Sequence, residues 1–153
     1  MFKLILFFVL NFSALGIGSL LIGNPGTNEW YQSVNRAPWT PPGWVFGFAW
    51  TTIMICFSFY LYRMDKRLVD DQRVLFYSLF AFQWLLNVCW NPVFFRYQFV
   101  FAALLMIVIL TILVLWFLWF GFKSSFVNGM FVLPYAVWLI IATSLNVYIY
   151  LKN

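Results

Sequence analysis

Histidine is absent from this chain, acidic side chains number only 4, cysteines only 2, and charged residues of either sign make up 8% of the sequence. Each shortage removes a class of function. Without imidazole there is no histidine ligand for zinc or haem and no histidine-dependent triad, so no metal site is expected. Cys56 and Cys89 both fall inside apolar runs, which gives a disulfide framework no support. The formal net charge of +5 comes largely from Arg63, Lys66, Arg67 and Arg73, gathered in one short connection between apolar runs, where they act as topology determinants rather than as a nucleic-acid surface. The long apolar runs carry no Lys, no Arg and no carboxylate pair. Proton relays and ion-coupled pumping therefore lack charged carriers, and no internal repeat of the inverted-transporter kind is present.

Apolar and aromatic side chains are what the chain has in abundance. Hydrophobic residues make up 65% of the 153, more than a water-soluble globule of this size can hide, so the chain reads as an integral membrane protein. Crossing about 30 Å of hydrocarbon takes about 20 mostly apolar residues in a helix. Runs at Leu4–Ile22, Gly43–Tyr62, Val74–Phe95, Phe99–Phe120 and Phe126–Leu151 meet that test. The predicted fold is all-α, one five-transmembrane-helix bundle over residues 1–153, with a long ordered first loop over residues 23–42. The first run resembles a signal peptide in its Lys3 and its small residues "ALGIGS", but Ala14 and Gly18 form a small-xxx-small face suited to helix packing. A retained helix and no cleavable targeting segment are expected. An odd number of spans puts the termini on opposite faces. Lys3, Arg63, Lys66, Arg67, Arg73 and Lys123 then share the amino-terminal side against Arg36, Arg96 and Lys152 on the other, which predicts a cytoplasmic amino terminus.

Aromatic residues reach 24%, including 9 Trp and 20 Phe, which exceeds what belts at the membrane surface require and points to rings lining an interior. They are densest in "WYQSVNRAPWTPPGWVFGFAW", Trp30 to Trp50. The loop ahead of and within this stretch holds Pro25, Pro38, Pro41 and Pro42, which fix φ and keep their predecessors extended. "NEWYQSV" predicts one helical turn capped by Asn28, and Pro41 and Pro42 are placed to form the first turn of the second span. An ordered loop of this length suits a lid.

Polar residues inside the spans fall into stripes. Gln83, Asn87 and Asn91 recur every four residues, about 6 Å apart along one helix face, bordered by Trp84 and Trp90. In the fifth span Trp138, Ala142 and Asn146 share a face with Tyr135 one turn earlier, and Pro134 is expected to loosen the helix. Phe46 and Trp50 are i, i+4 partners in the second span, and Trp50 lies roughly 10 Å into it. The fourth span shows only Thr111, which makes it the expected lipid-facing helix. Two readings of Gln83, Asn87, Asn91 and Asn146 stand side by side: contacts to a ligand, or interhelical glue worth roughly 0.5 to 2 kcal/mol each. Trp30, Trp39 and Trp44 fit an interfacial belt; Trp50 and Trp138 lie too deep for one and favour a cavity wall. Such a neutral, ring-lined pocket with a few amides suits a flat hydrophobic guest.

Three blocks carry a resemblance to a known family: the tryptophan-rich loop segment above, "QWLLNVCWNPVFF" in the third span, and "LPYAVWLIIATSLN" in the fifth. The first is similar to WYxxLxKPxWxPPxxxFxxxW of the TspO/translocator proteins, also called tryptophan-rich sensory proteins or peripheral benzodiazepine receptors. Val34, Arg36 and Ala37–Pro38 depart from that pattern. The resemblance spans essentially the whole chain. It implies a five-span bundle, a homodimer in the lipid bilayer, and a site for porphyrins such as protoporphyrin IX, for haem-type tetrapyrroles, for sterols and for benzodiazepine-type drugs, with transport as a further role. Carried onto matching positions, that site comprises Tyr31, Pro41, Pro42, Trp50, Asn87, Trp90, Trp138 and Ala142; Phe46, Gln83, Tyr135 and Asn146 join it from the stripes. Porphyrin enters as ligand, and no cofactor is required. The resemblance also implies an alternative, light- and oxygen-dependent porphyrin breakdown, with Trp50 and Trp138 as the catalytic candidates. A purely structural or partner-regulating membrane protein is a third possibility. The terminal "LNVYIYLKN" fits a proposed cholesterol pattern through Leu145, Tyr148 and Lys152, but an aromatic and Lys anchor explains it at least as well.

Overall fold

The computed structural model describes residues 1–22 and 28–153; the part of the predicted lid that includes Pro25 lies outside the described residues. Six α-helices follow in chain order: α1 Phe2–Ile22, α2 Glu29–Ser33, α3 Gly43–Asp65, α4 Asp70–Asn91, α5 Val100–Ser124 and α6 Phe126–Lys152. All but α2 are long and apolar enough to cross a membrane, α4 together with the π-helical turn Pro92–Arg96 that extends it. Among the described residues there is no strand. Because hydrocarbon offers no partner for a free backbone N–H or C=O, a chain of this composition has the helix as its only open-ended way across.

The helices pack in a closed ring. α1 lies against α3 and α4, α3 against α6, α6 against α5, and α5 against α4. The α5–α6 hairpin is the most extensive pair. Its tight turn is Ser125, whose extended backbone breaks the helix and whose hydroxyl accepts from the Asn128 N–H at 3.2 Å. Gly129 follows, with the Phe122 ring seated where a Cβ would be. On α1 the buried residues are Phe7, Asn11, Ala14 and Gly18, a single stripe at helical spacing that contains the small-xxx-small pair. A Cβ on Gly18 would come within 2.5 Å of Asn91 Nδ2, so a larger residue there would have to displace the end of the Asn91 side chain.

Several elements depart from the sequence reading. Pro42 is the N-cap of α3, ahead of its first turn; its missing N–H costs nothing there either. At Pro92, α4 gives way to the π turn, closed by Tyr97 N–H donating to the Pro92 carbonyl at 2.9 Å. Gln98 then takes a left-handed φ of 57°, and the chain reverses into α5. The helix α6 runs without interruption through Pro134. α5 is not the most lipid-exposed span: 33% of its most apolar stretch is buried against 22% for α1. Its inward stripe consists of Ala, Ile, Leu, Val, Phe and Gly, which pack without any polar marker that the sequence would reveal.

The two ends of the ring are built differently. Toward the end that carries residues 66–69, rings fill the axis: Phe57 lies 5.5 Å from Tyr60, 5.6 Å from Phe117 and 5.4 Å from Tyr135. The buried Tyr60 hydroxyl is satisfied by donating to the Phe117 carbonyl at 3.1 Å. Below it a charged cluster joins three helices. Asp65, only 5% exposed, accepts from Lys3 at 2.8 Å, from Arg73 at 3.2 Å and from the Tyr77 hydroxyl. Beside it Arg63 donates to Asn128 at 2.7 Å.

Candidate functional site

The other half of the ring is hollow. A cavity of about 500 Å³ lies among all five spans and the 28–42 segment, within the range of small-molecule sites. Its depth is set by α3 and α6. Phe46 stands edge-on to Trp138 at 5.2 Å, and Trp50 edge-on to Tyr135 at 5.9 Å, so the i, i+4 pair on α3 and the stripe on α6 meet ring to ring. Ala142, one turn beyond Trp138, is small and leaves the space open. α4 supplies the opposite wall through Asn87, Asn91 and Trp90, with Trp90 stacked on Phe94 of the π turn at 5.1 Å. α5 contributes Ile107 and Leu110, and α1 contributes Leu15, Ser19 and Ile22. On α3, Gly43 and Gly47 line the cavity, and a Cβ on either would meet no atom within 4 Å.

The loop crosses the mouth and is fastened on two sides. Asn28 caps α2 by accepting from the Tyr31 N–H at 2.8 Å, as its position predicts, and its amide donates to the Phe95 carbonyl at 3.2 Å. Trp30 and Tyr31 stand edge-on to Phe94 and Phe95 at 5.3 and 5.2 Å. On the other side Trp39 donates its indole N–H to Ser144 Oγ at 3.1 Å and packs on Tyr148, while Asn35 and Asn153 exchange hydrogen bonds. Tyr148 is therefore engaged by the loop and Leu145 is buried, which leaves the Leu145, Tyr148 and Lys152 pattern no shared lipid-facing surface.

Of the sequence-predicted site residues, Tyr31, Pro41, Phe46, Trp50, Asn87, Trp90, Trp138 and Ala142 line this cavity. Four do not. Gln83 and Tyr135 sit one layer deeper, where the Gln83 amide donates to the Tyr135 hydroxyl at 2.8 Å. Asn146 turns back to its own helix, donating to the Ala142 carbonyl at 3.0 Å. Pro42 is exposed as the cap of α3. The stripes thus divide: Asn87 and Asn91 on α4 and Trp138 and Ala142 on α6 face the hollow, whereas Gln83 joins helices and Asn146 bonds its own helix. Sequence reasoning missed the α1 contribution, although Leu15, Ser19 and Ile22 follow helical spacing, and it missed Gln32, Arg36 and Thr40 of the loop.

The polar equipment of the cavity is sparse and mostly uncommitted. Among the described residues the Asn87 side-chain amide has no hydrogen-bond partner, and the Trp90 indole N–H is buried without one. Burial pushes the Tyr31 phenol up from its ordinary pKa, with Arg36 pulling the other way, so the hydroxyl stays protonated and can donate. Arg36 is the single charged residue among those lining the cavity, its guanidinium 5.5 Å from the Tyr31 ring centre. This set can hold a large apolar body and hydrogen-bond its edges; it offers no general acid–base pair in the interior.

Comparison with known proteins agrees with this architecture. The sequence model of the TspO/MBR family matches residues 6–151. The chain is 33% identical over 119 residues to a tryptophan-rich sensory protein of Cereibacter sphaeroides, covering 78% of this chain and 73% of the relative. It is 32% identical over 141 residues to tryptophan-rich protein TspO of Archaeoglobus fulgidus, covering 92% and 90%. To the translocator protein of Homo sapiens it is 26% identical over 144 residues, covering 90% and 82%.

Proposed function

The chain belongs to the TspO/MBR family, and on that footing we propose that it is a membrane receptor or sensor for porphyrins and other flat hydrophobic ligands, sterols and benzodiazepine-type molecules among them, with their movement through the bilayer as a further role. One observation carries the reading: a ring-walled cavity of about 500 Å³ lined by Trp50, Trp90 and Trp138, with the uncommitted Asn87 amide on its wall. An apolar planar guest gains by burying its faces against these rings, and the Asn87 amide can hydrogen-bond its edge. On this reading the protein is a homodimer, as the family resemblance implies, and the distribution of Lys and Arg favours the basic end of the bundle in the cytoplasm with the loop and carboxyl terminus on the far face. Purified protein in bilayer discs, titrated in darkness with protoporphyrin IX, haem and a sterol, should show saturable quenching of tryptophan fluorescence by the tetrapyrroles and displacement by competing ligands. Quenching that rises linearly without saturation would mean partition into lipid, and the reading would fail.

A second reading is favoured by the position of Trp50 and Trp138 on the cavity wall. Illuminated porphyrin passes energy to oxygen, and the oxygen species formed would meet either the porphyrin or these indoles. The same titration run in light, with and without oxygen, separates the two readings: binding alone leaves the porphyrin intact, whereas catalysed breakdown exceeds the protein-free control and responds to Trp50→Phe or Trp138→Phe.

A further inference from the structure

The cavity's one charge sits where a ligand would enter. Arg36 is exposed at the mouth, on the segment that crosses it, and forms no salt bridge among the described residues. Of the chain's 4 acidic residues, Asp65, Asp70 and Asp71 lie at the opposite end of the bundle, and Glu29 makes no ion pair with Arg36. On the same segment lies Tyr31, whose ring Arg36 overlies at 5.5 Å and whose hydroxyl has no hydrogen-bond partner among the described residues. Below them the walls are rings, aliphatic side chains and amides. A guanidinium is built to receive a carboxylate, through two parallel N–H donors, and a phenol beside it adds a third. The rest of the site asks for the opposite chemistry, an apolar body.

We propose that Arg36, with the Tyr31 hydroxyl, is a specificity-determining site for an acid group on the ligand's rim, so that the protein selects flat apolar molecules bearing a carboxylate over their neutral analogues. This rests on the porphyrin-binding reading and sharpens it, because it assigns the charged edge of a carboxylated tetrapyrrole to the loop and the uncharged edge to the Trp50–Trp138 end. It also separates two groups of proposed ligands: acid-bearing tetrapyrroles engage Arg36, and sterols do not.

The test compares protoporphyrin IX with its dimethyl ester, the same ring without charge, in discs of a neutral phosphatidylcholine and in darkness. The wild type should bind the acid about fivefold tighter than the ester, the upper end for an exposed ion pair, and the gap should narrow at high salt. Arg36→Gln should erase the gap by weakening the acid alone, and Arg36→Lys should retain most of it. Unchanged ester binding in each variant shows that the cavity is intact. Equal wild-type affinity for acid and ester, or an equal loss of both in Arg36→Gln, would overturn the assignment while leaving the porphyrin reading in place. If neither form binds saturably, the porphyrin reading fails, and the assignment with it.

Discussion

At the scale of single residues, burial and partnership separate the amides that build the bundle from those available to a guest. Asn11 donates to Ser58 Oγ at 2.8 Å, and Ser58 is held by the Met54 carbonyl at 2.7 Å, so this pair ties α1 to α3. The Gln83 amide nitrogen donates to Tyr135 in the same way, although its carbonyl oxygen is buried without a partner among the described residues. Asn87 is 7% exposed, lines the cavity and keeps its amide free. Asn87→Ala should therefore leave the melting temperature within a few degrees of wild type but weaken porphyrin binding by about 2- to 10-fold, the worth of one hydrogen bond. A large loss of thermal stability with unchanged affinity would assign Asn87 to packing instead. The spacing of Gln83, Asn87 and Asn91 was legible in the sequence; which of them face the hollow was not, because that depends on how far down the helix the neighbouring rings close the axis. Arg36 was visible as a far-side charge and as a departure from a motif but not as a cavity residue, since charge alone does not tell a topology determinant from a ligand contact. Asp65 and Asn128 were missed for a related reason: their partners Lys3, Arg73 and Arg63 are distant in sequence or lie on another helix.

Helices and loops carry a second set of consequences. α1 meets α4 through Gly18, with Asn91 Nδ2 lying 2.5 Å from where a Cβ would stand. Asn91 also lines the cavity. Gly18→Leu must therefore push α1 outward or drive Asn91 into the hollow, at a cost of about 1 to 3 kcal/mol typical of overpacking. A lowered melting temperature together with weakened ligand binding is expected, and Gly16→Leu, at an exposed glycine with no atom within 4 Å, is the control that should change neither. If both variants behave alike, the α1–α4 approach does not shape the site. The Ala14 and Gly18 pair foretold this contact, and Asn28 foretold the loop helix. The π turn at Pro92–Arg96 was not legible, because widening a helix by one residue leaves the apolar pattern nearly unchanged. The inward face of α5 escaped notice because lipid and core accept the same side chains.

For the whole molecule, length and composition were enough to count the spans, and the resemblance was enough to name the family. The division of the bundle into a solid half and a hollow half needed the coordinates. Phe57, Tyr60, Phe76 and Phe117 close the axis at one end, and Phe46, Trp50, Trp90 and Trp138, aromatic like them, border a void at the other. No local pattern distinguishes a ring that fills from a ring that lines. Ala142 is where the distinction can be tested, since it is small, borders the void and lies one turn from Trp138. The decisive measurement is a dark titration of protoporphyrin IX against wild type and Ala142→Phe, with helix content and melting temperature recorded for both. The account predicts saturable binding in the wild type and a loss of at least about tenfold in a variant that remains helical and folded, because a phenyl ring occupies the space the guest needs. Equal affinity in the two proteins would show that the guest does not enter this cavity, and would contradict the account.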